Sequence, residues 1–307
     1  METSSKKIRE KSLELGFYEC GFAKAEVLEE EKNIFFQYLA KKRNADLHFL
    51  ERNPEKRIDP RLVMKEANSV VALLMNYFPS EILPEKDNYI IAKYAYGKDY
   101  HNVLMKKMKE LGHFMQEELG ASNIRAFVDS APLMEKKWAQ LCGLGWIGKN
   151  TILINKSAGS FFVIGILLTD LVLDADVPGK NHCGTCEKCL KVCPTGALIE
   201  SGMLDPNLCI AYHTLENKAD LPEGLKDRFN DRIYGCDICQ DICPFNSFAV
   251  PNSEPEFFPH PSLRKMHKSD WINLNKENFY ELFKETPVSH IGYDRLMRNI
   301  RFVSNRE

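Results

Sequence analysis

Long apolar stretches, an imbalance of charge and low-complexity tracts are all missing from this 307-residue chain. The longest uncharged apolar run, Phe161 to Leu168, falls far short of the ~20 residues that a bilayer-spanning helix needs. The amino terminus is charged where a secretory leader would have an apolar core, and it shows no twin-arginine signal, so a cytoplasmic protein with no membrane partner is expected. Net charge is -2, so composition alone gives no reason to expect nucleic acid. Basic residues do cluster at Lys41, Lys42 and Arg43 and at Lys106, Lys107 and Lys109, where they read as solvated helix faces. No repeat is visible beyond two cysteine sets. A phosphate-binding loop of the Walker kind is excluded, because Lys149 is not followed by Ser or Thr and the glycine spacing is wrong. What remains, with 44% hydrophobic and 27% charged residues, is an ordinary globular composition with room for two domains or a little more.

Cysteine is plentiful: there are 10, and eight fall into two spaced sets. Cys183, Cys186, Cys189 and Cys193, the last followed by Pro194, form the run that places three thiolates around one cubane cluster and sends the fourth to a neighbour. Cys236, Cys239 and Cys243, followed by Pro244, repeat the tail of that run. Ile233 stands where its leading cysteine would be, and Cys209 is the natural substitute. The resulting partition puts Cys183, Cys186, Cys189 and Cys243 on one 4Fe-4S cluster and Cys209, Cys236, Cys239 and Cys193 on the other. Zinc and disulfides also use paired cysteines. A structural zinc site usually takes two well-separated pairs, and thiols at three-residue intervals before Cys-Pro fit the cluster run better. Disulfides are disfavoured in a chain that reads as cytosolic and reduced. Cys20 and Cys142, isolated in apolar surroundings, read as small core residues.

Ile34, Phe35, Tyr38 and Leu39 recur at helical spacing, as do Leu104, Met108, Leu111 and Met115. Between these helices, Ser69 to Met75 reads as a strand covered on both faces. Ile124, Ala126 and Val128 alternate in a second strand that delivers Asp129 at its end. A helix is expected next, capped by Ser130, with Pro132 in its first turn and Gly143 terminating it after Cys142. Thr151–Ile154 and Ser160–Leu168 read as strands around a turn at 156–159. The predicted fold class is α+β, with an α/β-type amino-terminal domain over 1–175, a two-cluster ferredoxin-like domain over 176–250 and an extended segment with a helical tail over 251–307. Residues 174–180, with Pro178 and Gly179, would link the first two. Trp271, Leu274, Phe279, Leu282 and Phe283 mark the tail.

Two clusters move single electrons, and alone they would make a ferredoxin. The first 175 residues are too long for a cap and hold three polar, glycine-rich segments: Tyr94–His101, Val128–Pro132 and Gly143–Asn150. Asp129, where a strand meets a helix, can project into a crevice, although aspartate there also caps helices routinely. Gly143, Gly145 and Gly148 allow close backbone approach to a bulky ligand or supply positive φ. His101 could be a ligand or an acid, or merely packed at a helix start.

Taken together, Gly-Lys-Asp-Tyr-His, Val-Asp-Ser-Ala-Pro, Gly-Leu-Gly-Trp-Ile-Gly-Lys-Asn and the cysteine sets resemble the epoxyqueuosine reductases, cobalamin-dependent enzymes of queuosine tRNA modification. The similarity runs from about residue 8 to the end, and Arg52 to Arg61 resembles that family's early basic segment. The resemblance implies cobalamin in the amino-terminal domain, fed with electrons by two 4Fe-4S clusters and an external donor. It makes Asp129 the catalytic acid. The segments that match bring Tyr96, Asp99, Tyr100, His101, Ser130, Lys136, Gly143, Gly145, Trp146, Gly148 and Lys149 forward as cofactor contacts. The substrate would be epoxyqueuosine at the wobble position of a tRNA anticodon stem-loop. Its phosphates would meet Arg52, Lys56, Arg57 and Arg61, with Lys136, Arg295, Arg298 and Arg301 as weaker choices.

Two departures qualify the resemblance. Lys136 stands where the family is expected to have arginine, which keeps charge and loses forked hydrogen bonding. The sequence also stops soon after Arg298 and Asn299, where many relatives continue into helical repeats that could help hold tRNA. A monomer is expected. The rival readings are a cobalamin reductase of the reductive dehalogenase type and an electron carrier that only docks a partner.

Overall fold

The computed structural model describes residues 3–304. Its centre is a four-stranded sheet of β1 (Glu19–Lys24), β2 (Ser69–Asn76), β3 (Ile124–Phe127) and β4 (Phe162–Thr169), in the order β1-β2-β4-β3 and antiparallel throughout. Every residue of β2 from Ser69 to Met75 is buried, as its unbroken apolar run requires. Val71, Leu73 and Met75 face one layer, and Val70, Ala72 and Leu74 face the other. The first layer is α1 (Ser4–Glu14) and α3 (Tyr100–Leu119), and the four apolar residues predicted for α3 are all fully buried. At about 1.5–3 kcal/mol for each such side chain, this face alone supplies a large part of the domain's stability. The opposite layer is α2 (Glu29–Ala40) and α4 (Glu135–Leu141), with Trp138 and Ala139 packed against the sheet.

β1 has no clear apolar pattern in sequence, and tertiary packing makes it a strand. A Cβ on Gly21 would overlap the Cys142 carbonyl at the end of α4, so the edge strand needs glycine there. Cys20 and Cys142 are core residues, as expected.

One local expectation is corrected. The helix after β3 begins at Glu135, not beside Ser130: Met134 occupies the cap with no side-chain bond, and Ser130 and Pro132 lie in the preceding loop. The reason is Asp129, whose φ of 51° turns the chain sharply before helical geometry can start. The strands expected on either side of 156–159 are present as Leu153–Ile154 and β4, and an antiparallel bridge between Asn155 and Gly159 closes the turn; Leu153–Ile154 also pairs with Trp146–Ile147.

Residues 174–180 are extended yet strapped down. The Asp176 carboxylate accepts from Arg9 at 3.0 Å and from the Phe22 N–H at 2.8 Å. Beyond them the cysteine-bearing chain is mostly loops and short helices, including Lys188–Val192 and Ile238–Asp241. A separate core joins Tyr89, Ile91 and Tyr96 to Phe229 and Ile233 and to the tail residues Trp271, Phe279, Phe283 and Leu296. The tail helices are Lys268–Ile272, Lys276–Phe283 and α5 (Gly292–Ser304). Fully buried Asn299 clamps α5 by donating to the Thr214 and Ile233 carbonyls at 3.0 and 2.9 Å.

Candidate active site

A crevice of about 910 Å³ opens beside the sheet, at the upper end of the range for small-molecule and cofactor sites. Ile147, Ile152, Phe162 and Ile164 form an apolar floor, and Tyr100, Asp129, Glu135, Lys136 and Arg57 bring polar groups to its walls. Asp129 follows the end of β3, and its side chain is 57% exposed. A left-handed backbone costs a residue other than glycine about 1–3 kcal/mol and persists only where neighbours impose it. Here the Asp129 N–H donates to Glu135 Oε1 at 2.8 Å, and the Tyr100 hydroxyl donates to Asp129 Oδ2 at 2.5 Å. Burial, followed by the Asp129 charge and hydrogen bond, holds the Glu135 carboxyl well above its ordinary pKa. Tyr100 is likewise pushed up, first by burial and then by Asp129, so it stays a protonated donor.

Behind Tyr100 lies a second group. Asp99 caps α3, accepting the His101 N–H at 3.0 Å, and its carboxylate also accepts His101 Nδ1 at 2.7 Å and His290 Nε2 at 2.6 Å. Burial opposes ionisation of Asp99, but these hydrogen bonds outweigh it and bring its pKa to about 2. Burial alone would lower the His101 pKa; the bond and charge of Asp99 reverse the sign and raise it. His101 Nε2 is 3.9 Å from Asp129 Oδ2.

Of the residues expected to hold a cofactor, Tyr100, Asp129 and Lys136 line this crevice; Lys136 Nζ rests on the Thr151 carbonyl at 2.7 Å. Exposed Ser130 adjoins it in the loop. Asp99 and His101 stand behind its wall, and Tyr96 lines a different cavity with Gly97 and Lys98. Gly143 and Gly145 have positive φ, 78° and 153°, and lie against other segments of the chain. A Cβ on Gly143 would press on the Val177 carbonyl, and one on Gly145 would overlap that of Ile154, so these glycines let protein segments meet. Gly148 packs against the Ile154 side chain. Gly145→Ala, at φ 153°, is expected to cost about 2–4 kcal/mol in urea unfolding, through backbone strain and overlap together. An unchanged midpoint would show that the segments can part.

Trp146 and Lys149 belong to the cysteine region. Cys183, Cys186, Cys189 and Cys243 line one cavity with Lys149, Asn150, His182 and Phe245, and the indole of Trp146 donates to Cys183 Sγ at 3.4 Å. The other four gather separately. Burial first, then the charges of Cys236, Cys209 and Cys193, lift the Cys239 thiol well above its ordinary pKa, and Cys236 is pushed up to about 12. Among the described residues no three cysteine sulfurs lie within 4.8 Å of one another. The segment 143–150 touches both foursomes: Trp146 reaches Cys183, and Asn150 Nδ2 donates to the Cys239 carbonyl at 3.1 Å. Its Ile147 faces the crevice. One stretch of chain thus separates the crevice from both cysteine sites.

The basic candidates differ in what already engages them. Arg52 is exposed and Lys56 half-buried beside it. Arg57 lines the crevice, donates to the Phe49 carbonyl at 2.7 Å and lies 5.7 Å over the Phe49 ring, while its buried Nε has no hydrogen-bond partner among the described residues. Arg61 grips Asp59 with two bonds of 2.8 and 2.9 Å. Arg295 and Arg298 donate to backbone carbonyls including Leu215, His290, Asn217 and His213, which makes them clamps of the tail; Arg301 is exposed. Sequence reading missed Glu135 and His290. The first stands six residues after Asp129 and could be found as a second carboxyl at a helix start. The second is brought in only by the tail.

The family model described as epoxyqueuosine reductase QueG, DUF1730, matches residues 57–130, and that of a 4Fe-4S double cluster binding domain matches 182–246. An epoxyqueuosine reductase of Cellulophaga algicola is 43% identical over 98% of this chain and 98% of its own length. One of Leadbetterella byssophila is 45% identical over 99% of both. A crystal structure of epoxyqueuosine reductase with an epoxyqueuosine-modified tRNA-Tyr stem loop superposes with a TM-score of 0.89 at 28% identity, covering 97% of this chain and 80% of that one.

Proposed function

From the premise that this chain belongs to the epoxyqueuosine reductase family and is an oxidoreductase with two 4Fe-4S clusters, we propose that it reduces epoxyqueuosine to queuosine at the wobble position of tRNA, with cobalamin in the 910 Å³ crevice. The observation that carries this reading is the placement of Asp129 on the crevice wall, one short segment away from both cysteine sites. Deoxygenation breaks two carbon–oxygen bonds, forms a carbon–carbon double bond, takes up two electrons and two protons, and releases water. Clusters deliver electrons singly; bound cobalamin would supply a centre able to collect two. The apolar floor and the polar wall of Tyr100 and Lys136 would hold that group.

Asp129 donates a proton to the oxygen as charge develops on it, and Tyr100 fixes the carboxyl's orientation. Glu135, whose carboxyl is pushed up first by burial, accepts the Asp129 N–H and so holds that residue's backbone in place. The electron donor is external, and the protein works as a cytoplasmic monomer. Protein loaded anaerobically with iron and cobalamin should convert an epoxyqueuosine stem-loop in single turnover and leave a haloorganic substrate untouched. Failure to take up cobalt, or to convert the RNA, would overturn the reading.

The stem-loop meets Arg52, Lys56 and Arg57 with its phosphates, beside the exposed Phe49. Affinity should fall as salt rises, and removing one phosphate-binding side chain should flatten that slope by about 0.7–0.9. Arg57→Glu should weaken binding strongly. Arg61→Glu should do less, because Asp59 already neutralises that side chain. Equal effects, or none with salt, would place the RNA elsewhere.

A further inference from the structure

We propose that His290, brought by the tail to the back of the active site, is a positioning residue that sets the proton affinity of His101 through the carboxylate they share, and that His101 supplies the second proton of the reduction. This rests on the reading above. Two protons are consumed, and Asp129 holds one. His101 Nε2 lies 3.9 Å from Asp129 Oδ2 and can reload it; the Tyr100 hydroxyl is nearer, at 2.5 Å, but burial and the Asp129 charge hold its proton in place. Its Nδ1 is fixed on Asp99 Oδ1 at 2.7 Å, so the exchangeable proton sits on the nitrogen that faces Asp129. His290 Nε2 holds the other oxygen, Oδ2, at 2.6 Å, and its side chain is 56% exposed, which gives the pair an outlet to solvent.

The three ligand atoms lie close enough to suggest a metal, but the geometry points to hydrogen bonds. Contacts of 2.6 and 2.7 Å are donor–acceptor distances, whereas ligands at ~2.0–2.1 Å around tetrahedral zinc stand ~3.4 Å apart. Two imidazoles share one carboxylate, one on each oxygen. A donor from His290 draws electron density from Asp99 and weakens its hold on the His101 proton. Removing that donor therefore raises the His101 pKa, whether His290 is neutral or charged. The other charged or titratable groups around the set are Asp129 with Glu135 behind it, Tyr100 stacked on His101 at 4.1 Å, Tyr234 near Asp99, and Arg295, which bonds the His290 carbonyl. Lys98 is occupied by Glu256 and Glu285.

The test compares wild type, His290→Leu and His290→Gln in the cobalamin- and iron-loaded protein. Two readouts are followed: the pH dependence of single-turnover reduction and the imidazole NMR titration of His101. Reduction should fall as pH rises through the His101 pKa. His290→Leu should move both the alkaline limb and the NMR titration upward by roughly half to one pH unit. His290→Gln, which keeps an N–H donor, should restore the wild-type position. A limb and titration unmoved by leucine, or an equal rate loss at every pH in both variants, would overturn the proposal, as would stoichiometric zinc uptake abolished by either change. If wild type itself fails to reduce the RNA, the functional reading fails, and the NMR shift still reports on the coupling separately.

Discussion

Asp129→Asn is expected to keep its iron and its cobalamin uptake and to lose single-turnover reduction by about 10²–10⁴-fold, the usual weight of a positioned general acid. The substitution is close to isosteric. Asparagine tolerates the left-handed backbone at φ 51°, and its carbonyl can still accept from Tyr100. What it cannot do is carry the proton. A purely local role would give a different result: Asp129 caps no helix, since α4 starts at Glu135, so unfolding should shift by less than about 1 kcal/mol. A variant that turns over like wild type would remove Asp129 from the chemistry.

Cys186→Ser is expected to reduce iron from about eight to about four atoms per chain and to abolish turnover, because four thiolates hold each cubane and electrons must pass through both sites. The sheet should survive this, as Cys186 lies outside it. The second foursome takes Cys193 from the same stretch of chain, and its iron should remain if the partition is right. Cys142→Ala provides the contrast. That buried thiol packs beneath β1 and β2, so its loss should lower the unfolding midpoint and leave iron unchanged. Eight irons and full activity in the Cys186 variant would sink the cluster assignment.

Much of this was legible because it is local. Three-residue cysteine spacing fixes which thiols share a loop, and the paired Cys-Pro steps suggest the crossover by which Cys243 comes to line one cavity with Cys183, Cys186 and Cys189. The run in β2 and the stripe on α3 follow from burial on two faces and on one. What escaped reading depends on residues far apart in the chain. β1 is a strand because α4 presses on Gly21, and His290 reaches Asp99 across 191 positions. Gly143 and Gly145, read as room for a ligand or a source of positive φ, take φ of 78° and 153° and also lie against the Val177 and Ile154 carbonyls, a long-range packing that an open backbone does not announce in sequence. Likewise nothing near Arg298 announced that carbonyls from 213 to 219 would surround it, whereas the Asp59 that takes the Nε and Nη2 of Arg61 stands only two positions away.

The clamp of α5 on Thr214 and Ile233 sets an order of assembly. A chain made from its amino end completes the sheet with β4 at Thr169 and exposes the cysteines from 183 to 243 before the tail helices exist. During that interval the strip 89–96 lacks half of its packing partners, and Asp99 lacks His290. Until the tail is made, that core therefore stays open, and the carboxylate of Asp99 is left to His101 alone.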